Sequence, residues 1–128
     1  MAIHYKIRKK ANYINREESP KYYMTTASLK FIKRSQLIKH MSHNTSMTKE
    51  EARAALDSIY DSLLHFLELG FNVGLGDLGY FSLSLRSHGS LDPQAVTADN
   101  LKEIKPQFNP TKKFYKDINK FPVTKFPD

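Results

Sequence analysis

The stretch from residue 70 to residue 87, GFNVGLGDLGYFSLSLRS, constrains the fold more than any other part of the chain. Residues 71–75 and 80–85 alternate apolar with small or polar residues, which is the two-residue period of a β-strand. Between them, Gly76 and Gly79 can adopt positive φ, so the chain can reverse tightly or bulge. The stretch therefore predicts a twisted β-hairpin. Its second strand is expected to have a core-facing apolar row and a free polar row, Phe81, Leu83 and Leu85 against Ser82, Ser84 and Arg86.

Length and composition limit what can surround this hairpin. The chain has 128 residues, 40% of them hydrophobic, which fits one domain or one domain with an added segment. It contains no Cys, so a disulfide framework and a thiolate metal site are both excluded and a reducing compartment is expected. The first ten residues have no apolar run behind their basic residues, which predicts neither a secretory signal nor a membrane span. We therefore expect a cytoplasmic protein.

The formal net charge of +7 is distributed unevenly along the sequence. Residues 1–40 contain ten Lys or Arg and two Glu, residues 41–100 contain three and eight Asp or Glu, and residues 101–128 contain seven and three. The three segments thus carry +8, −5 and +4. Basic clusters of this kind are typical of phosphate binding, because each cation that displaces a counterion adds affinity without reading sequence. A solubilising surface is the alternative interpretation.

Two helices are predicted before the hairpin and one after it. Ser35 is a candidate N-cap for a short helix, and Thr48 with Glu51 forms a capping-box pattern at the start of a longer one. The apolar stripe of the longer helix continues to Gly70, which suits the left-handed position after a helix. Its Ile59, Leu63 and Phe66 are expected to be buried mainly against a second chain. Asn109 before Pro110 predicts a capped start for a short basic helix over residues 112–119.

The remaining segments are predicted from weaker patterns. Residues 1–12 and 22–26 are expected to form two paired strands, joined by a loop from Asn12 to Lys21. Residues 88–102 lack periodicity and predict an exposed connection. The last eight residues, FPVTKFPD, are interrupted by proline and are expected to fray.

No group of residues points to catalysis. The five His are scattered without a third ligand at fixed spacing, so no metal site is predicted. Gly74, Gly76 and Gly79 are followed by a strand and by no Lys-Ser/Thr, which excludes a phosphate loop. We expect no enzyme activity, no cofactor and no small-molecule substrate.

The order of the elements resembles the HU/IHF family of bacterial histone-like DNA-binding proteins, over residues 34–120. The matching segments are Ser35-Gln36-Leu37-Ile38, Thr48 to Leu67, Gly70, Val73, Leu75, Leu78-Gly79-Tyr80-Phe81 at the family's G-F-G-T-F signature, and Pro106 to Lys113, which is similar to its P-x-F-x-P-G-K segment. With added N-terminal strands, the chain is most similar to HU-like variants of Bacteroidetes. Asp77 stands where the signature has its first Gly, and Leu91 to Val96 replaces the family's R-N-P-x-T-G, losing a basic residue and gaining Asp92.

The resemblance implies an α+β fold assembled as an intertwined homodimer, with a helical base, a β-sheet saddle and β-ribbon arms. The expected organisation is an N-terminal β-hairpin extension over residues 1–33, an HU-like DNA-binding domain over 34–120 and a frayed tail over 121–128. In that family an arm-tip proline wedges between base steps of bent DNA. Pro93 occupies the matching position here.

We therefore predict non-enzymatic, largely sequence-independent binding of double-stranded DNA, with possible bending, by a nucleoid-associated homodimer that acts away from membranes. The candidate DNA-binding residues are Arg86, Pro93, Lys102, Lys105, Lys112, Lys113 and Lys116. The alternative is an HU-like fold reused as a protein-interaction or structural module with weak or no DNA binding, which the acidic middle segment and the altered arm tip favour.

Overall fold

The structure is a computed structural model that describes residues 2–10, 19–27 and 30–127. Most of the predicted loop from Asn12 to Lys21 lies outside the described residues. In chain order the elements are β1 (Ile3–Lys10), β2 (Lys21–Thr26), α1 (Arg34–Asn44), α2 (Lys49–Glu68), β3 (Val73–Gly74), β4 (Gly79–Ser87), two 3-10 turns (Pro93–Ala95 and Ala98–Asn100), β5 (Leu101–Pro110), α3 (Lys112–Ile118) and β6 (Val123–Lys125). None of the described helices is long and apolar enough to cross a membrane.

The chain forms two compact units, Met1–Lys33 with Asp117–Asp128, and Arg34–Lys116. The first unit is a three-stranded sheet in which β1 lies between an antiparallel β2 and a parallel β6. The predicted pairing of the first two strands is confirmed. Residues 123–125 form β6 where we expected a frayed tail, because β1 offers them a free strand edge: the Phe126 amide donates to the Tyr5 carbonyl at 2.8 Å.

The second unit begins with the helix pair α1 and α2. Helix α1 starts at Arg34, so Ser35 lies inside its first turn and the predicted Ser35 cap is wrong. The Arg34 guanidinium instead donates to the Asp57 carboxylate of α2 at 2.7 Å, which ties the start of α1 to its neighbour. Ile38 and Ala52 are the buried apolar residues of this pair.

Both predicted ends of α2 are confirmed. The Glu51 amide donates to the Thr48 hydroxyl at 3.1 Å and the Thr48 amide donates to the Glu51 carboxylate at 3.2 Å, which together form a capping box. After the helix, Gly70 has φ +89° and its amide donates to the Leu67 carbonyl at 3.0 Å. This left-handed residue turns the chain towards the second sheet.

The second sheet has the order β3-β4-β5, with both pairs antiparallel. The predicted hairpin is therefore present, although β3 is only two residues long and shorter than the predicted strand over residues 71–75. Gly76 and Gly79 have φ +62° and +148°, as the tight connection requires. The long pairing lies between β4 and β5, from Gly79 opposite Pro110 to Ser87 opposite Leu101.

Helix α3 starts differently from the sequence prediction. Asn109 lies in β5 and its side-chain amide donates to the Ser82 hydroxyl at 3.1 Å, so it does not cap the helix, and Pro110 ends the strand. The cap is Thr111, whose hydroxyl accepts a hydrogen bond from the Phe114 amide at 3.1 Å. The predicted helix over residues 112–119 is otherwise present as Lys112–Ile118.

The buried core is very small. Among the described residues, the buried apolar side chains are Ala27, Ile38 and Ala52. The apolar row of β4 was predicted to face a core, yet Leu83 is 39% exposed and Leu85 72% exposed. The single chain therefore leaves uncovered much of the apolar surface that its strand and helix patterns would bury.

Candidate nucleic-acid interface

The β4–β5 hairpin has one polar and one apolar face. Cross-strand partners in an antiparallel pair point to the same side of a sheet, and side chains alternate along each strand. The observed register therefore places on the polar face Ser82, Ser84 and Arg86 of β4 with Gln107, Lys105 and Glu103 of β5. Of the candidate DNA-binding residues, Arg86 and Lys105 are brought together here.

The charge of this polar face is partly compensated. Arg86 Nη1 lies 2.9 Å from Glu103 Oε1, and both side chains are about half exposed. Lys105 lies opposite Ser84 and has no ion pair within the described part of the chain. Lys102 lies at the register shift next to Arg86 and Ser87, where β5 has one residue more than β4. The hairpin thus offers two uncompensated cations, Lys102 and Lys105.

Pro93 lies in the connection between β4 and β5, nine residues before Lys102 in the sequence. It is the first residue of a 3-10 turn that Asp92 caps, with the Gln94 amide donating to the Asp92 carboxylate at 3.0 Å. The neighbouring Leu91 is fully exposed. Leu91 is not among the sequence-predicted site residues, although a large apolar residue stands out in the sequence of this connection.

The other basic group is on α3. Lys112 and Lys116, together with Pro110, Thr111 and Tyr115, line an open depression of about 240 Å³. Lys113 points elsewhere: its ammonium nitrogen lies 2.9 Å from the Asp77 carboxylate in the turn before β4. The Thr111 hydroxyl donates to the Asp77 carbonyl and the Thr111 amide to the Leu78 carbonyl, so this turn holds the first turn of α3.

The predicted site residues consequently form two groups at opposite ends of one hairpin. The α3 lysines follow Pro110, which pairs with Gly79 at the base. Arg86 lies seven residues further along β4, a distance of about 23 Å at 3.3 Å per residue.

The described residues contain no group of three or more potential metal ligands.

A helix pair, a short strand leading into a long hairpin, and a basic helix held against the hairpin base define an α+β architecture of the HU type. The family model described as an HU domain fused to a wHTH, Ig or glycine-rich motif matches residues 1–125, so the chain belongs to this family.

Among solved structures, the chain is similar to a crystal structure of a candidate bacterial DNA-binding protein from Bacteroides vulgatus ATCC 8482. The TM-score is 0.65 at 14% sequence identity, and the match covers 84% of this chain and 46% of that chain. This chain therefore corresponds to about half of that relative. No curated protein matches the sequence significantly.

Proposed function

We propose that this protein is a non-enzymatic DNA-binding protein that holds duplex DNA largely independently of sequence and acts as a homodimer. The observation that carries the proposal is the match of an HU-domain family model to nearly the whole chain. The similarity to a candidate bacterial DNA-binding protein agrees with it. Binding as a nucleoid component, with bending of the duplex, is part of this proposal.

The distribution of cations supports backbone contacts over base reading. Lys112 and Lys116 lie on the surface of a short helix, and Lys102 and Lys105 lie on an exposed strand. Lysine ammonium groups bind phosphate as point charges and carry no sequence information. Each such contact adds affinity by releasing a counterion.

The exposed apolar surface supports the homodimer. In α2, Ile59 is 43% and Phe66 45% exposed, and on the apolar face of the hairpin Ile104 is 53% exposed. Surfaces of this kind on a small chain mark an interface with another chain, and a twofold dimer covers the same surface on both copies.

Phe66→Asp is expected to give a monomer in sedimentation equilibrium, whereas Leu91→Asp, which changes another exposed apolar residue in the same way, should leave the dimer intact.

Salt-dependent titration of a duplex tests the binding proposal. Lys112→Gln with Lys116→Gln should weaken binding equally for unrelated sequences and flatten the slope of log K against log salt by about 1.8, since each phosphate contact contributes about 0.9. Lys49→Gln with Lys39→Gln, on the helix pair, removes the same charge and should change the slope little. Absence of duplex binding by the unaltered chain at low salt would refute the proposed function.

A protein-interaction role is the second candidate. The observation that favours it is the uncovered apolar side of the first sheet, where Ile7 is 54% and Met24 62% exposed. Under this function the folded protein would bind duplex DNA weakly or not at all, even at low salt. The same titration therefore separates the two functions.

A further inference from the structure

We propose that the first sheet is itself a duplex-binding surface, through a row of cations on one side of β1 and β2 that contacts the phosphate backbone. We call this the basic face; its members are Lys6, Arg8 and Lys10 of β1 with Lys21 and Tyr23 of β2. The inference rests on the proposed DNA-binding function and assigns a second contact region, outside the helix pair, the hairpin and α3.

The strand register brings these residues to one side of the sheet. Arg8 of β1 pairs with Tyr23 of β2. Two residues to either side along β1, Lys6 pairs with Thr25 and Lys10 pairs with Lys21. Because paired residues share a face and the strand alternates with a period of two, the three cations of β1 and Lys21 all lie on the same side. All five members are exposed.

The opposite side of the same strands has a different character. The same register places Ile7 with Met24, and Tyr5 with Thr26, on that side. It holds two cations. Lys9 lies near the end of β1, and Lys125 of β6 pairs with Tyr5 near the start of β1. Most of the basic charge of β1 is therefore sorted to one face, which uniform solubilisation of the surface does not require.

Among the described residues, no acidic side chain compensates the cations of the basic face. The sequences of β1, β2 and β6 contain no Asp or Glu. Within the described residues, Lys6, Arg8, Lys10 and Lys21 form no ion pair, whereas Arg86 and Lys113 of the other unit do. A concentration of unpaired positive charge attracts a polyanion, and for this family the polyanion that charge complementarity favours is duplex DNA.

The spacing along β1 suits a phosphate backbone. Lys6, Arg8 and Lys10 follow one another at about 6.6 Å, which is close to twice the axial rise of about 3.4 Å per phosphate of one DNA strand. Arg8 can offer a planar fork of donors to one phosphate, and the hydroxyl of Tyr23, across from it, can donate to the same or the next one. Such contacts add affinity without selecting a base sequence.

The test compares two variants of the full chain that lose the same charge from opposite sides of one sheet. Lys6→Gln with Arg8→Gln alters the basic face, and Lys9→Gln with Lys125→Gln is the matched control. For a duplex, the first pair should flatten the slope of log K against log salt by about 1.8 and weaken binding about 60-fold at 0.1 M salt, from 0.9 per lost contact. The control pair should keep the slope within about 0.5 of the unaltered protein.

Further measurements make the outcomes distinct. Arg8→Lys, which keeps the charge, should keep the slope, and equal unfolding midpoints would show that the variants are folded. Equal slope changes in both pairs, or no change in the Lys6/Arg8 pair, would overturn the inference while the proposed function stands. The inference is also overturned if this pair loses binding to phosphatidylglycerol vesicles and retains the duplex slope. No duplex binding by the unaltered chain overturns the proposed function and this inference together.

Discussion

Replacement of Gly79 by alanine is expected to destabilise the second unit severely, because two independent costs fall on one residue. Gly79 has φ +148°, a conformation that is essentially restricted to glycine and costs other residues about 1–3 kcal/mol. A Cβ at this position would overlap the carbonyl oxygen of Asn109 and lie 2.9 Å from Pro110 Cα and 3.0 Å from Phe108 Cε2. Two of these three neighbours are backbone atoms of the paired strand, so the overlap can be relieved only by moving β5.

Overpacking of this kind costs about 1–3 kcal/mol, so the two costs together reach about 2–6 kcal/mol. The free energy of unfolding of a domain is about 5–15 kcal/mol, so Gly79→Ala would remove a large share of it. Gly89→Ala is the matched control. Gly89 lies in the connection between β4 and β5, its φ is not positive, and a Cβ there has no neighbour within 4 Å. This control should be neutral or stabilising by up to about 1 kcal/mol.

Urea unfolding followed by circular dichroism measures both variants, at one protein concentration because the proposed dimerisation would make stability depend on concentration. We expect a much lower midpoint for Gly79→Ala and an unchanged or slightly higher one for Gly89→Ala. A free energy of unfolding for Gly79→Ala within about 0.5 kcal/mol of that of the unaltered protein would refute the reasoning, because neither backbone strain nor strand overlap could then be present.

Two further predictions concern the candidate interface. Asp77→Asn removes a carboxylate 2.9 Å from the Lys113 ammonium and should tighten duplex binding about fivefold at low salt, while Asp61→Asn, the same change on α2, leaves affinity unaltered in the same titration. Leu91→Ala should reduce duplex bending at least as much as Pro93→Ala, because Leu91 is the fully exposed apolar side chain of the connection. Energy transfer between dyes at the two duplex ends measures the bending. Unchanged bending in both variants would exclude a wedge at this position.

Local chemistry made much of the second unit predictable from the sequence. The Thr48 and Glu51 pair and Gly70 define the ends of α2 through hydrogen bonds between residues at most a few positions apart. Gly76 and Gly79 likewise indicated the turn before β4, because tolerance of positive φ is a property of glycine itself. The strand β4 was also predictable locally, because its apolar and polar residues alternate with a period of two along the sequence.

The errors involve partners that are distant in sequence. Ser35 was a reasonable cap, but the start of α1 is tied by Arg34 to Asp57, which is 23 residues away. Asn109 was equally reasonable as a cap, yet its side chain hydrogen-bonds to Ser82, 27 residues earlier. Residues 123–125 form a strand because β1 pairs with them across almost the whole chain. Such contacts follow from topology, which a local pattern does not contain.

Ion pairing of the candidate DNA-binding residues could not be read from the sequence. The sequence indicated Arg86 and Lys113 as phosphate ligands, whereas the structure pairs them with Glu103 and Asp77. The Arg86 pairing is a consequence of register, since Arg86 and Glu103 are cross-strand partners in β4 and β5. The identity of the free cations therefore depended on knowing which strands pair and at which residue.

Because two candidate cations of the second unit form ion pairs, we expect the basic face of the first sheet to supply a large share of the phosphate contacts. A hairpin that binds DNA through phosphates needs uncompensated cations. Here Glu103 pairs with Arg86 on the hairpin and Asp77 pairs with Lys113 of α3, which within the described part of the chain leaves Lys102 and Lys105 as the uncompensated cations of β5. β1 and β2 contain no acidic residue and carry their cations in a row at regular spacing. If binding is governed by counterion release, the salt slope should therefore depend on this row at least as strongly as on the hairpin.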